Sequence, residues 1–266
     1  MPVSETRTLR APLEAVMREA GALARKTAQG AFRHWTKGED RSPVSEADIA
    51  VNDLLHRRLT ALTPDANWLS EETEAPPDAT HALTWIVDPI DGTRAFISGR
   101  ADWAISAALV EGGRPLVAAL YAPVSEEIFL AAREAGATLN GTPIKANDGD
   151  DLRGAKIAGP KRYLDRVSTL AKGTLAQPKI HSLALRLARV AQGALDAALA
   201  SRGSHDWDLA AADLLVHEAG GVLTDFTGRP PKYHGSQAVH GALVAAGQAR
   251  HDALIGLMRD RISEFA

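Results

Sequence analysis

Apolar residues recur at three- and four-residue spacing between residues 9 and 28 (Leu9, Leu13, Val16, Ala20, Leu23 and Ala24), with charges in the gaps. This spacing predicts an amphipathic helix with one face on a core. A polar stretch, 36–43, follows. Ser45 then opens a second helix, with Asp48 three residues on in the place of a capping partner and Ile49, Leu54, Leu55 and Leu59 on the apolar side. Short apolar runs at 67–69, 85–87, 104–110 and 116–121 read as strands of an antiparallel sheet, the last two joined by Glu111-Gly112-Gly113-Arg114 as a hairpin. From about Gly154 the pattern alternates: strand 156–158, helix 182–192, strand 195–199, helix 208–219, strands 222–224 and 242–246, and a last helix from Gln248. Such alternation predicts helices covering a sheet. The expected fold class is α/β, with an α+β half over residues 1–145 and an α/β half over 146–266 packed directly as one unit.

The 266 residues are 45% hydrophobic and 24% charged, which supports a buried core rather than disorder. A formal net charge of -3 argues against a general nucleic-acid binder, which needs a basic surface to displace counterions. With no cysteine, disulfides, thiolate zinc sites and cysteine nucleophiles are excluded together, and any metal must be held by oxygen or imidazole. Charges alternate through residues 1–28 without an uninterrupted apolar run, and no stretch approaches the roughly 20 apolar residues of a membrane span. The cytoplasm is the expected location, with neither a membrane nor a nucleic-acid polymer as partner.

The densest chemical signal is Trp85-Ile-Val-Asp88-Pro-Ile-Asp91-Gly92-Thr93, an apolar strand ending in two aspartates around a proline. Pro89 stiffens the chain and Gly92 permits close approach, so both carboxylates and the Ile90 carbonyl should meet in one small space. Like charges so placed repel unless a cation or proton intervenes, and hard oxygen donors suit Mg2+ or Mn2+. The chain then enters a helix at Thr93, and the backbone of Gly92 and Thr93 would face an anion such as phosphate. An ordinary Asp-Gly turn with Asp88 as a cap accounts for the same letters. Two further acidic stretches say less alone. Trp68-Leu-Ser70-Glu71-Glu72-Thr73 places paired acids after an apolar strand, where a solvated loop is the commoner outcome. His205-Asp206-Trp207-Asp208 opens a helix that stops at Gly220-Gly221, and Asp208 is either its cap or a ligand facing the strand-end aspartates. Spacing does not choose between them.

The stretches Asp88-Pro-Ile-Asp-Gly-Thr-Arg-Ala-Phe96 and Trp207-Asp-Leu-Ala-Ala-Ala-Asp-Leu-Leu-Val-His-Glu-Ala-Gly-Gly221 resemble the two signature motifs of the inositol monophosphatase superfamily, and the similarity runs from about residue 9 to 250. The resemblance implies the layered α-β-α-β-α sandwich of that superfamily, a homodimer, and a Mg2+-dependent phosphatase holding two or three ions, with Mn2+ as a substitute. It implies Glu71, Asp88, the Ile90 carbonyl, Asp91 and Asp208 as metal ligands, Glu71 also serving catalysis. Thr93 is implied to orient the attacking water. Asp48, in Ser45-Glu-Ala-Asp48 where serine replaces the family's threonine, is implied to support that water from behind the ligands. The chemistry explains so many acids, because several divalent ions neutralise a phosphate and make a water nucleophilic near neutral pH. His181, His205 and His217 sit beside the motifs, but the implied metal site is complete without them.

The superfamily spans inositol monophosphatases, histidinol-phosphate phosphatases, fructose-1,6-bisphosphatases and 3'(2'),5'-bisphosphate nucleotidases, so the motifs fix the reaction more firmly than the substrate. In the inositol and histidinol phosphate branches a glutamate shortly before the second Trp-Asp binds a polar group of the substrate. Here residues 196–207 contain no glutamate, and the stretch looks one residue longer, as in the nucleotidases. Trp68-Leu-Ser-Glu-Glu72, Leu120-Tyr-Ala-Pro123 and Gly228-Arg-Pro-Pro-Lys-Tyr233 lean the same way, whereas Gly92-Thr-Arg-Ala-Phe-Ile-Ser-Gly99 departs from that branch. The expected partner is a small phosphorylated metabolite. The reading leans to a bisphosphate nucleotide, with Ser201 and Arg202 meeting the substrate and Arg202 its second phosphate. Inositol 1-phosphate, or histidinol phosphate, is the alternative substrate, and a regulatory binding protein is the alternative outside enzymes.

Overall fold

The N-terminal stripe folds as a helix that lays its apolar face on a sheet. In the computed structural model, which describes residues 3–38, 42–73, 82–233, 239–259 and 261, helix α1 (Val3–Thr8) leads into α2 (Arg10–Ala28). Leu13, Val16, Met17, Ala20 and Ala24 of α2 are buried. A hairpin of β1 (His34–Lys37) and β2 (Ser42–Ser45) then delivers the chain to α3 (Glu46–Leu62). The cap of α3 is the expected one. Asp48 Oδ2 accepts from the Ser45 backbone N–H (2.8 Å) and hydroxyl (2.6 Å), and the Ala47 N–H donates to Ser45 Oγ (3.2 Å). The hairpin was not expected, because β1 is mostly exposed and carries no apolar alternation to mark it.

Seven strands form the first sheet in chain order. They are β3 (Asn67–Ser70), β4 (Leu83–Asp91), β5 (Ala104–Glu111), β6 (Arg114–Ala122), β7 (Glu127–Ala132), β8 (Ala137–Leu139) and β9 (Thr142–Pro143), with the single turn α4 (Thr93–Ile97) between β4 and β5. From β4 onward, neighbours are antiparallel. Gly112 and Gly113 turn β5 into β6 with φ of 59° and 76°, the left-handed pair that a two-residue hairpin requires. The expected all-antiparallel sheet is corrected at β3, which pairs with β4 in parallel, Ser70 beside Val87. A tight turn cannot reach a parallel partner, and the long connection from Ser70 to Leu83 meets that need. As a result β3 and β4 end at the same edge, where Glu71 follows β3 and Asp88 and Asp91 close β4.

The alternation beyond Gly154 is present with additions. It runs β10 (Lys156–Ala158), α5 (Lys161–Leu170), β11 (Leu175–Ala176), α6 (Leu183–Ala191), β12 (Ala197–Ala200), β13 (Ser204–His205), α7 (Asp206–Glu218), β14 (Gly221–Asp225), β15 (Val239–His240), β16 (Leu243–Gly247) and α8 (Gln248–Met258). The five-stranded second sheet has the order β11-β10-β12-β16-β14, and β13 pairs with β15 alone. Helix α5 went unread because only Tyr163 and Val167 of it are buried, too sparse a stripe.

Alternate residues of each sheet point into different layers. Ile157, Leu199 and Val244 face α5 and α8 on one side of the second sheet, whereas Ala158, Ala198 and Ala245 face α6 and α7 on the other. In the first sheet Trp85, Val87 and Leu109 face α2 and α3, whereas Ile86, Ala108 and Phe129 face α6 and α7. The result is an α-β-α-β-α sandwich. Helix α7 lies between the sheets, and Leu209, Ala210, Ala211, Ala212, Leu214, Leu215 and Val216 are all buried. A helix apolar on all sides belongs inside, and its alanines let both sheets approach. Among the described residues no helix is long and apolar enough to cross a membrane.

Gly21 of α2 faces β6, where an added Cβ would lie 2.3 Å from Tyr121 Cε1. Alanine in place of glycine ordinarily stabilises a helix interior by about 1 kcal/mol. Here Gly21→Ala is expected to destabilise by about 1–3 kcal/mol, because it must displace a buried ring. Urea unfolding of the two proteins checks the sign.

Candidate metal centre

The edge where β3 and β4 end gathers the acids. Asp88 and Asp91 are buried at 1% and 6% exposure, and the pairing of β4 with β5 slips between them, so the strand bends and both carboxylates turn to the same side. Asp88 Oδ1 accepts from the Ile90 N–H (3.0 Å). Gly92 then takes φ of 95°, and a Cβ there would lie 3.2 Å from Ser182 N, so glycine is required both for the turn and for the approach of α6. The start of α6 holds Asp91. Its carboxylate accepts from Ser182 Oγ (2.6 Å), Leu183 N–H (3.2 Å) and Ala184 N–H (2.6 Å). Asp208 comes from the first turn of α7, where its Oδ2 accepts from the His205 N–H (2.6 Å). One oxygen of each of Asp88, Asp91 and Asp208 lies within 4.8 Å of the others.

Two further acids flank this trio. Glu71 continues the parallel ladder, its N–H donating to Val87 O (3.3 Å), and Asp48 reaches in from the cap of α3. Thr93 Oγ1 stands 3.0 Å from both Asp48 Oδ1 and Ile90 O, with one proton for two acceptors. Burial, then the neighbouring carboxylates, push Asp88 and Asp208 well above the usual carboxylate range. Burial also lifts Glu71 to about 7 against the pull of Lys37, and Asp48 to about 6 against the hydrogen bonds from Ser45. Asp91 is raised by burial too, but its three donors oppose the rise.

The donor set fits a hard divalent cation. Among the described residues the cluster offers oxygen alone, and burial beside like charges raises its carboxylates' hold on positive charge. Residues 5–263 match the model of the inositol monophosphatase family. The chain belongs to the inositol monophosphatase family. Nus factor SuhB of Escherichia coli (strain K12) is 31% identical over 230 residues, 83% of this chain and 84% of that protein. An inositol monophosphatase of Mesembryanthemum crystallinum is 33% identical over 199 residues, 70% of this chain and 74% of that one. The solved structure of a Thermotoga maritima IMPase has a TM-score of 0.83 at 25% identity, covering 95% of this chain and 97% of that one.

Within this inositol monophosphatase fold, Asp88, Asp91, Asp208, Glu71, Asp48, Thr93 and the Ile90 carbonyl come together at one edge, while Ser201 and Arg202 lie exposed on the turn after β12. The helix expected at Thr93 is only five residues long, and the anion at a longer helix N-terminus is Asp91 on α6. Three participants were not anticipated. Lys37 of the hairpin bonds Glu71 O (3.0 Å) and Glu72, with its Nζ 3.4 Å from Glu71 Oε1, and nothing in the polar 36–43 stretch marked it. Ser182 was readable as a helix start, but not as a donor to Asp91. Asp102 sets that start through its carbonyl, which accepts from Ser182 N–H (3.1 Å), and its carboxylate, which accepts from His181 N–H (2.8 Å). Burial would raise Asp102, but the bonds from His181 and Arg100 outweigh it and hold the group at about 2.

Carboxylates that bind protons more tightly when folded make stability fall as pH rises through the window from their ordinary values to about 7, as for Glu71 (4.5) and Asp48 (3.8). A divalent cation replaces those protons, so its stabilisation grows across the same window. Thermal unfolding with EDTA or with Mg2+ is expected to show a larger Mg2+-induced rise in Tm at pH 8 than at pH 5. An equal rise at both, or a larger one at pH 5, contradicts the site.

Proposed function

We propose that this chain hydrolyses a small phosphate monoester to its alcohol and inorganic phosphate at the carboxylate cluster. Membership in the inositol monophosphatase family supports a phosphoric monoester hydrolase. The observation that carries the reading is the meeting of Asp88, Asp91 and Asp208 within 4.8 Å, an arrangement suited to a divalent cation. Asp88, Asp91, Asp208, Glu71 and the Ile90 carbonyl would hold Mg2+, and Mn2+ suits the same donors. Bound Mg2+ supplies positive charge for the phosphate and acidifies a water enough for attack near neutral pH.

The rest falls to the chain. Thr93 Oγ1, fixed between Asp48 Oδ1 and Ile90 O, orients a water and can pass its own proton to Asp48 as it takes one from that water. An acceptor lifted by burial to about 6 suits this transfer near neutral pH. Gly92 and Thr93 would offer backbone N–H groups to a phosphate oxygen. For the substrate, the leaning to a bisphosphate nucleotide loses its original support, because Arg202 is exposed and a solvated arginine discriminates weakly.

Groups that merely orient a metal ligand are worth about 10- to 100-fold in affinity or activity, so loss of a ligand should exceed that. Asp91→Asn is therefore expected to lower turnover by more than about 100-fold with an unchanged circular dichroism spectrum. Full turnover at saturating Mg2+ contradicts the assignment. Thr93→Ala is expected to lower kcat by about 10²–10⁴-fold with little change in KM. A change confined to KM moves Thr93 from water placement to phosphate binding.

A further inference from the structure

Helix α6 holds Asp91 only while it begins in one place, because Ser182 Oγ and the N–H groups of Leu183 and Ala184 all bond that carboxylate. Ser182 caps the helix. Its hydroxyl accepts from Leu185 N–H (2.9 Å) while donating to Asp91, so one side chain joins the helix start to the cluster. The N–H groups of the cap and of the residue before it have no partner within a helix. A single residue, on the loop between α4 and β5, supplies both. Asp102 takes Ser182 N–H on its carbonyl (3.1 Å) and His181 N–H on its carboxylate (2.8 Å).

The His181 ring adds a second bond to the same oxygen, with Nδ1 2.6 Å from Asp102 Oδ2. Asp102 stays ionised above about pH 2, and an ionised carboxylate only accepts, so Nδ1 carries the proton and the bond is charge-assisted. The two side chains are 24% and 20% exposed, whereas Arg100, which donates to the other oxygen (2.9 Å), is 52% exposed and adds little. Gly92 closes the junction, since an added Cβ there would lie 3.2 Å from Ser182 N and 3.4 Å from Asp102 O. The Gly92 turn, Asp102 and the cap of α6 thus pack together beside Asp91. Among the described residues neither the Asp102 nor the His181 side chain bonds a cluster carboxylate, so both act through residues 182–184.

We propose that Asp102 and His181 are positioning residues of the metal centre, which lock the start of α6 so that its three donors orient the Asp91 carboxylate for a divalent cation. The inference rests on reading the carboxylate cluster as a divalent-cation site. It gives His181 a part that is neither ligand nor acid. Groups that orient a metal ligand set how tightly the metal is held, so the loss falls on metal affinity and is offset by raising the metal concentration.

The test titrates the protein with Mn2+, reading the free ion by electron paramagnetic resonance, and follows urea unfolding in EDTA as a measure of stability apart from metal. His181→Ala is expected to raise the Mn2+ dissociation constant about 10- to 100-fold. His181→Asn, whose side-chain N–H can stand where Nδ1 stood, is expected to restore most of that loss. Asp102→Ala is expected to raise the Mg2+ concentration needed for half-maximal phosphate release from p-nitrophenyl phosphate, with kcat largely recovered at saturating Mg2+. Unchanged Mn2+ affinity in His181→Ala and Asp102→Ala, with or without a fall in EDTA stability, marks a merely structural contact and overturns the inference. A loss that His181→Asn leaves in full overturns it too. If the unsubstituted protein binds Mn2+ but releases phosphate from no monoester, the phosphatase reading falls and the affinities still decide the inference. If it binds no Mn2+, the metal site and the inference fall together.

Discussion

Asp88, Asp91 and Asp208 put three like charges within 4.8 Å of one another, two of them shielded from water, and the surrounding fold is arranged about that repulsion. Each carboxylate receives backbone or hydroxyl donors from an element end. The Ile90 N–H serves Asp88, the start of α6 serves Asp91, and the His205 N–H serves Asp208. These donors orient the oxygens without cancelling their charge, since hydrogen bonds from neutral groups leave the net charge in place. A divalent cation is the simplest group that removes the conflict.

That requirement explains features otherwise unconnected. The parallel pairing of β3 with β4 brings Glu71 to the edge that carries Asp88 and Asp91. The apolar helix α7, packed between both sheets, holds Asp208 against the end of a strand from the other half of the chain. Its first turn is further pinned by a 2.6 Å contact between Asp206 and His240. Alanines on α7 and on the facing strands keep the sheets close enough for side chains as short as aspartate to meet. A site of this kind needs the whole sandwich rather than one loop.

The parts legible in the sequence are those with local causes. The stripe of α2, the cap Ser45–Asp48, the Gly112-Gly113 turn and the strand ending at Asp88 and Asp91 each follow from neighbouring residues. Asp208 was ambiguous because it both caps α7 and joins the cluster, so both readings describe the same residue. Lys37 and Asp102 act across long separations in sequence, and no periodicity encodes such contacts. Arg202 was given its role from its place in sequence beside a motif, and its exposure leaves it without the burial that makes a cation selective.

The central claim is that the carboxylate cluster exists to hold divalent cations, and anomalous diffraction from crystals soaked in Mn2+ tests it most directly. The account predicts a strong anomalous peak among Asp88, Asp91 and Asp208, with carboxylate oxygens at about 2.0–2.3 Å, as hard divalent ions require. Mn2+ found only at surface acids, with the three carboxylates turned away from one another or bonded through shared protons, would contradict it.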